Sequence, residues 1–291
     1  MELSVFALKL IALCSMLTDH IGYFLYPRFA SYDFTHVLRV AGRLAFPVYA
    51  FLIVNGYDKT RDVRRYLTRL CAFALISQIP FVLAVDWSPA PGTALTFLRA
   101  WPLGQIGLIV FVGLVWLTTV RRDLSVLWPV LALLAGCLWF SVGSVSLLLD
   151  DLNVFYTLAL GLACVSILDR AVKPGQPPLP LLAQTAAVAA AFLLIRGTAD
   201  YRYMGSALVL ALSLCRDNRR SQAALLVMWA AVEYLIGGMR VDYFLAASLS
   251  APLVLLYRGR QGRPIKAFFY WIYPGHMALL GLANLWLRFS S

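Results

Sequence analysis

The feature that most constrains the fold of this chain is the repeated alternation of long apolar segments with short polar breaks. The apolar segments are about 17 to 25 residues long, which is the length that an α-helix needs to cross ~30 Å of hydrocarbon. The composition agrees, because 61% of the residues are hydrophobic and only 13% are charged, far outside the range of soluble domains. We therefore expect a single all-α domain over residues 1–291, a polytopic membrane protein with about 10–11 transmembrane helices.

Eleven segments fit this description, and the shortest of them leaves the count at either 10 or 11. The predicted spans are residues 3–26, 36–57, 66–85, 101–119, 124–141, 153–169, 179–195, 203–215, 221–237, 242–257 and 266–287.

Basic residues collect in alternate breaks, such as 59–69 and 258–266, whereas the other breaks are richer in aspartate. Because short cytoplasmic loops are enriched in Lys and Arg, this pattern predicts a multi-pass protein of the inner membrane with its N-terminus in the cytoplasm. The loops also account for the net charge of +11, so no nucleic-acid partner is expected. Membrane lipid is an expected partner, and the 59–69 loop could serve topology and anionic-lipid binding alone.

The five cysteines lie within apolar segments, are odd in number and form no CxxC pair. They are interpreted as core thiols, neither disulfides nor metal ligands, and no metal is expected. The N-terminus lacks the basic region and small-residue cleavage site of a signal peptide, so we expect the first segment to be retained.

Within the first span, the stretch KLIALCSMLTDH places Lys9, Asp19 and His20 in an otherwise apolar helix. An ionisable side chain at bilayer depth costs several kcal/mol, so these residues predict an internal functional site. Eleven residues at about 100° each return Lys9 and His20 to nearly the same helix face, with roughly 16 Å of rise between them. The stretch therefore predicts a cation and a titratable imidazole at two depths of one face.

Polar residues in other spans are predicted at similar depths. The functional interpretation is a polar cavity open to the outer leaflet, lined by Asp19, His20, Arg43, Gln78 and His276. Sequence neighbours on a helix point about 100° apart, so Asp19 is expected to pair with Arg43 instead of His20. The alternative is that these groups are structural, with Arg43 neutralised by Asp19 and both histidines bonded to carbonyls.

The outer-leaflet cavity does not include every polar residue of the apolar segments. A structural role is favoured for His36, near a helix end, and for Glu233, near an interface.

Several blocks of the chain resemble, in order, those of the TraX family. They are LKLIALCSMLTDHIG, LRVAGRLAFPVYAFLIVNG, TRDVRRYLTRLCAFALISQIPF, NVFYTLALG, DYRYMG, LYRGRQGR and KAFFYWIYPGHMALL. The resemblance runs through most of the chain and is weakest at roughly 87–150 and 172–198. It implies a membrane acetyltransferase, since the founding member N-acetylates the amino terminus of conjugative pilin.

The spacing from Lys9 to His20 also resembles the R/K-x10-H motif of the broader transmembrane acyltransferases, which move acyl groups from cytosolic acyl-CoA to acceptors at the outer side. The resemblance implies that His20 is the catalytic histidine, and Lys9, Arg43 and His276 match shared positions. The chain departs from the family at two positions, because many relatives carry Glu where this sequence has Asn55 and Gln78.

From these features we expect acetyl transfer from acetyl-CoA to an amine or hydroxyl of a pilin N-terminus, a peptide or an envelope glycan. The expected catalytic residues are His20, Asp19, Arg43 and His276, and the expected acetyl-CoA contacts are Lys9, Arg61, Arg69 and Lys266. His20 would be the general base, a cation would stabilise the oxyanion, and arginines suit the phosphates. A proton-coupled transporter using the same buried charges, and an inert assembly scaffold, are the alternatives.

Overall fold

A computed structural model of the chain describes residues 2–26, 29–85, 152–172, 201–263 and 265–290. Helices dominate these ranges, and an isolated bridge pairs Leu3 with Tyr257. The prediction of an all-α fold is confirmed. The predicted spans at 101–119, 124–141 and 179–195 lie outside the described residues.

The helices follow the remaining predicted spans closely. They are α1 (Val5–Leu25), α2 (Tyr32–Gly42), α3 (Ala45–Lys59), α4 (Val63–Val85), α5 (Val154–Val172), α6 (Arg202–Leu214), α7 (Arg219–Ala230, continued by a π-helical turn at Ala231–Ile236), α8 (Val241–Ser248), α9 (Ser250–Leu256) and α10 (Lys266–Ser290).

Three helical stretches in the described ranges are long and apolar enough to cross a membrane, namely Val5–Leu25, Tyr32–Lys59 and Arg65–Val85. Helix α10 adds a row of exposed apolar side chains. Leu279, Trp286 and Phe289 are 70%, 69% and 89% exposed, and a soluble protein rarely exposes so continuous an apolar stripe. The chain is therefore a helical membrane protein.

Two predicted spans are each divided into a pair of helices, and a proline explains both breaks. The span predicted at 36–57 is interrupted between α2 and α3, four residues before Pro47, and the span predicted at 242–257 is interrupted at Leu249, three residues before Pro252. A proline ring removes one helical N–H and clashes with the carbonyl of the residue four positions earlier. The first break places Arg43 at the end of α2, where its N–H bonds to the Val40 carbonyl at 3.1 Å.

The chain forms two compact units. Unit 1 comprises Met1–Lys59, Leu83–Val85 and Ala211–Ser291, and unit 2 comprises Thr60–Val82 and Asp86–Leu210. The core of unit 1 includes Leu8 of α1, Phe51 of α3 and Leu226 of α7, each at most 1% exposed. In unit 2, Gly161 lets α5 approach Val209, because a Cβ at Gly161 would lie 2.7 Å from the Val209 Cβ.

The start of α1 is tied to the loop between α9 and α10. The amides of Leu3, Val5 and Phe6 donate to carbonyls of this loop region, those of Leu256, Arg260 and Gln261, at 3.0, 2.9 and 3.2 Å. These bonds satisfy N–H groups that have no partner within the helix itself. Basic residues of the loop therefore surround the beginning of α1, and we call this part of unit 1 the cationic end.

Candidate active site

One face of α1 carries both of the residues that the R/K-x10-H spacing singled out, and α10 covers that face. The Lys9 Nζ lies 5.3 Å from the ring centroid of Phe269, and the His20 ring meets Tyr273 edge to face at 6.0 Å. Phe269 and Tyr273 are one helical turn apart and so share a face of α10. The residue later in α1, His20, contacts the residue later in α10, Tyr273, so the two helices run parallel.

The central contact of the site is a hydrogen bond between two histidines. The Nδ1 of His20 and the Nε2 of His276 are 2.7 Å apart, although their ring centroids are 5.0 Å apart. The ring planes differ by only 15°. Nearly parallel rings with such distant centroids and such close nitrogens must meet through their edges, so the bond lies near the plane of both rings.

The partners of His276 determine which nitrogen of His20 is a base. The Nδ1 of His276 lies 2.7 Å from the carbonyl oxygen of Ile272, and a carbonyl only accepts, so this Nδ1 carries a hydrogen and donates. In a neutral His276 the Nε2 is then the acceptor, and His20 donates to it from Nδ1. The Nε2 of His20 is left with a lone pair, and no side chain in the described ranges hydrogen-bonds to it.

Asp19, the neighbour of His20, pairs with two arginines of α2. Arg39 Nη1 donates to Oδ2 at 3.0 Å, and Arg43 Nη2 donates to Oδ1. The Asp19 and Arg43 side chains are only 14% and 12% exposed. One carboxylate against two guanidinium groups leaves a net charge of +1. The expected pairing of Asp19 with Arg43 is present, as the structural interpretation also required.

The close approach of α1 to the end of α2 depends on a glycine and a serine. A Cβ at Gly42 would lie 2.6 Å from the Asp19 Cγ, a separation that real Cβ atoms essentially never show. The Ser15 hydroxyl donates towards the Ala41 and Gly42 carbonyls at 2.7 and 3.1 Å. These carbonyls are at the end of α2 and have no N–H partner within the helix. Both residues hold Asp19 against its arginines.

A second histidine cluster lies near Arg43. His36 of α2 donates from Nε2 to the Asp242 Oδ2 at 2.7 Å, and Arg240 Nε donates to the same oxygen at 3.1 Å. The Tyr243 hydroxyl is 3.4 Å from His36 Nδ1. The Tyr243 ring also lies 5.4 Å from the Arg43 guanidinium. The tyrosine therefore contacts both clusters of unit 1.

The other predicted site residues are distributed over the two units. Gln78 belongs to unit 2, where its Oε1 accepts from the backbone N–H and the Nδ2 of Asn153 at 3.2 and 2.8 Å. Arg61 and Arg69 are exposed in unit 2, with Arg69 5.8 Å from the Tyr66 ring. Lys266 is the first residue of α10 in unit 1. The described ranges hold no group of three or more His, Cys, Asp or Glu residues arranged for a metal ion.

Sequence reasoning missed Arg39, which shares Asp19 with Arg43. The available signal was the spacing, because Arg39 and Arg43 are four residues apart and lie on one helix face. The Arg43 Nε even donates to the Arg39 carbonyl at 3.0 Å. Tyr273 and Ser15 carried no signal, since an isolated tyrosine or serine in an apolar segment is ordinary.

Comparisons with known proteins show what the chain is similar to. Among curated proteins, the chain is 38% identical over 80 residues to the probable fimbrial assembly protein FimC, serogroup H1, of Dichelobacter nodosus, which is 28% of this chain and 32% of that protein. It is 37% identical over 73 residues to the uncharacterized protein RP591 of Rickettsia prowazekii (strain Madrid E), a quarter of each chain. These alignments span a third or less of either relative. No solved structure matches the chain.

The family comparison covers far more of the sequence. The model described as TraX protein matches residues 4–150 and 113–284. The two matches together include every helix of the candidate site, from Lys9 and Asp19 in α1 to His276 in α10. The chain belongs to the TraX family.

Proposed function

We propose that this protein is a membrane acetyltransferase that moves an acetyl group from acetyl-CoA to an amine or hydroxyl at the other side of the inner membrane. The observation that carries the proposal is the His20–His276 hydrogen bond, which leaves His20 Nε2 as an available base inside a membrane helix. Membership of the TraX family supports this choice. The similarity to a probable fimbrial assembly protein supports a pilin amino terminus as the acceptor.

In this mechanism His20 Nε2 accepts a proton from the acceptor as its nitrogen or oxygen attacks the thioester carbonyl. The new bond to the acetyl carbon produces a tetrahedral oxyanion, whose collapse breaks the carbon–sulfur bond. The coenzyme A thiolate leaves and takes the proton back from His20. His276 keeps the His20 ring oriented and can share the proton along the 2.7 Å bond.

The charge next to His20 suits the oxyanion that forms during transfer. Asp19 neutralises one of its two arginines, so the Asp19, Arg39 and Arg43 group retains a net positive charge one residue away from the base. Arg43 is largely buried, at 12% exposed, and a fixed cation in a low-dielectric site stabilises developing negative charge more than one in water does. Arg43 is the preferred stabilising residue.

The donor would enter from the cationic end. That end surrounds the start of α1, Lys9 lies about one turn inside the helix, and His20 lies about 16 Å of helical rise beyond Lys9. This order suits an extended thioester arm whose phosphates stay among the basic residues while its acetyl group reaches the histidine. Lys9 substitutions should then weaken the use of acetyl-CoA, whereas His20 substitutions should abolish the chemistry.

The deciding experiment uses His20→Ala in the purified, folded protein, with transfer of labelled acetyl from acetyl-CoA to a synthetic pilin N-terminal peptide as the readout. We expect a loss of about 10²- to 10⁴-fold, the usual contribution of a general base. His36→Ala is the matched control, because it removes the chain's remaining histidine without touching the pair. Wild-type transfer by His20→Ala would overturn the assignment.

Two further measurements separate this proposal from its alternatives. Reconstitution into liposomes without acetyl-CoA should give no substrate flux, whereas a proton-coupled transporter would give it. Mass spectrometry of envelope and pilus proteins from cells with and without the gene should show the gain of an acetyl group on the acceptor. An unchanged set of acetylated molecules would favour an assembly scaffold.

A further inference from the structure

A cluster of hydrogen-bond donors at the cationic end has more donors than acceptors among the described residues. Its members are Lys59 at the end of α3, Arg219 at the start of α7 and Tyr257 just after α9. All belong to unit 1, and none was assigned to the site described above.

Tyr257 connects the two cations. The Lys59 Nζ lies 2.6 Å from the Tyr257 hydroxyl and 3.2 Å from the Gly259 carbonyl, and the Arg219 guanidinium lies 4.6 Å from the Tyr257 ring centroid. Phe51 faces the same guanidinium at 5.1 Å. Two aromatic rings therefore hold the planar guanidinium in place by cation–π contacts, and its orientation is largely preorganised.

Counting donors and acceptors shows what the cluster lacks. A lysine ammonium has three donors and no acceptor, so the Tyr257 hydroxyl must accept from Lys59, and its own O–H remains to be donated. Lys59 uses two of its three hydrogens on the contacts above. The Arg219 Nη1 is buried and has no hydrogen-bond partner within the part of the chain that the structure describes. The cluster thus offers at least three donors to an absent acceptor.

The acidic residues nearby are bonded to other arginines. Asp58, next to Lys59, pairs with Arg216 at 3.7 Å, and Glu2 pairs with Arg260 at 3.5 Å. Lys59 and Arg219 therefore keep two positive charges without a carboxylate among their described contacts. Lys59 is exposed, but the Arg219 Nη1 is buried, and leaving a buried charged donor unsatisfied is costly. An external anion would satisfy this donor and balance the charge of both cations.

We propose that Lys59, Arg219 and Tyr257 form a phosphate-binding site. A phosphate group supplies several acceptor oxygens and the negative charge that two cations require, and arginine with lysine is the usual pair for it. The phosphate belongs either to the nucleotide part of acetyl-CoA, in which case the site rests on the proposed function, or to an anionic phospholipid headgroup. Both sources lie within reach of a cationic membrane surface.

The test compares Arg219→Gln and Tyr257→Phe with Arg220→Gln in the full-length protein. Tyr257→Phe keeps the ring that holds Arg219 and removes only the hydroxyl. Arg220→Gln is a matched control, because it removes the same charge from the neighbouring, exposed position. Coenzyme A binding is measured in neutral detergent, and thermal stabilisation is measured in nanodiscs of phosphatidylglycerol against phosphatidylcholine.

For the nucleotide source we expect coenzyme A to bind the wild type and Arg220→Gln equally, and Arg219→Gln at least tenfold more weakly, with a smaller loss for Tyr257→Phe. For the lipid source, coenzyme A binding stays unchanged, and the stabilisation by phosphatidylglycerol disappears in Arg219→Gln and decreases in Tyr257→Phe, but is kept in Arg220→Gln. If neither probe distinguishes Arg219→Gln and Tyr257→Phe from Arg220→Gln, the site does not exist.

If Arg219→Gln fails to fold, Tyr257→Phe alone still tests the phosphate site, because it is a conservative change that removes only the hydroxyl. The outcomes also separate this site from the proposed function. Loss of coenzyme A binding in Arg219→Gln without detectable transfer by the wild type supports the site and counts against the acetyltransferase. Normal transfer with an unchanged KM for acetyl-CoA in Arg219→Gln, together with unchanged lipid stabilisation, overturns the site alone.

Discussion

The two histidine clusters of unit 1 use the same side chain with opposite partners. His36 donates from Nε2 to the carboxylate of Asp242, and its Nδ1 faces the Tyr243 hydroxyl. His20 instead donates from Nδ1 to another imidazole, and its Nε2 has no bond to a described residue. A histidine with both nitrogens occupied links helices, whereas a histidine with one open nitrogen can exchange a proton with a ligand. In the proposed function it is the partner, and not the residue type, that separates the structural role of His36 from the catalytic role of His20.

The largest expected effect is on the coupling between the two histidines of the pair. His20→Gln should lower acetyl transfer by about 10²- to 10⁴-fold and His276→Gln by about 10-fold or more. The double variant should be no worse than His20→Gln, because residues that act as one unit are not additive. The measurement is kcat/KM for the four proteins. In the double variant His36→Gln/His276→Gln, the two effects on kcat/KM should be independent. A double effect that differs from the product of the single ones would show that His36 and His276 are coupled, against the distinction drawn between the two clusters.

The next effect concerns the two aspartates. Asp19→Asn removes the carboxylate from Arg43, which is only 12% exposed, so we expect a loss of about 3 kcal/mol in the free energy of unfolding, as for other broken buried ion pairs. Asp242 is 34% exposed, so Asp242→Asn should cost about 1 kcal/mol or less. Thermal unfolding in detergent measures both. Equal losses would show that the Asp19 cluster is no more critical to stability than the Asp242 cluster.

A smaller effect tests the close helix contact that only the Asp19 cluster has. Gly42→Ala should destabilise the protein by about 1 to 3 kcal/mol, because the new methyl overlaps Asp19 and forces α1 and α2 apart. Gly275→Ala is the matched control within α10, where a Cβ would meet no atom within 4 Å. That change should be neutral or stabilising by about 0.5 to 1 kcal/mol. A stable, fully active Gly42→Ala would contradict the packing seen at Asp19.

The smallest effect is expected at the tyrosine that touches both clusters. Tyr243→Phe removes a hydroxyl 3.4 Å from His36 Nδ1 but keeps the ring beside Arg43. A contact of that length is weak, so stability and transfer should change by less than about 0.5 kcal/mol. Tyr243→Ala, which removes the ring as well, should cost more in both measurements. If Tyr243→Phe alone abolished transfer, the His36 cluster would belong to the active site.

The last prediction concerns the tautomers of the three histidines and can be tested by spectroscopy on the wild-type protein. Nitrogen-15 NMR of histidine-labelled protein at a pH where the imidazoles are neutral should show protonated Nδ1 at His20 and His276 but protonated Nε2 at His36. The reason is that each tautomer is fixed by its acceptor, a carbonyl, an imidazole or a carboxylate. The reverse tautomer at His20 would remove the open base on which the proposed mechanism depends.

Much of the site could be predicted before the structure, for physical reasons that apply to particular residues. A charged or titratable group in an apolar helix is costly and therefore indicates a functional site. Lys9, Asp19, His20, Arg43 and His276 are identified in this way. Arg39 was missed because it lies near the start of the predicted span 36–57, where arginines are ordinary. Gln78 hydrogen-bonds to Asn153 within unit 2, and its grouping with the histidines stays a prediction. Depth along a helix, unlike the contact partner, can be counted from the sequence.

The sequence alone determined the class of the protein, the length and approximate limits of its described helices, and the helix face shared by Lys9 and His20, because apolar length and the 3.6-residue period are local properties. The tertiary structure decided which groups meet. It joined His20 to His276 across 256 positions of the chain, paired Asp19 with two arginines, and left the Arg219 Nη1 without an acceptor among the described residues. Partner choice depends on how helices cross and on where prolines break them, and neither can be counted along a single helix.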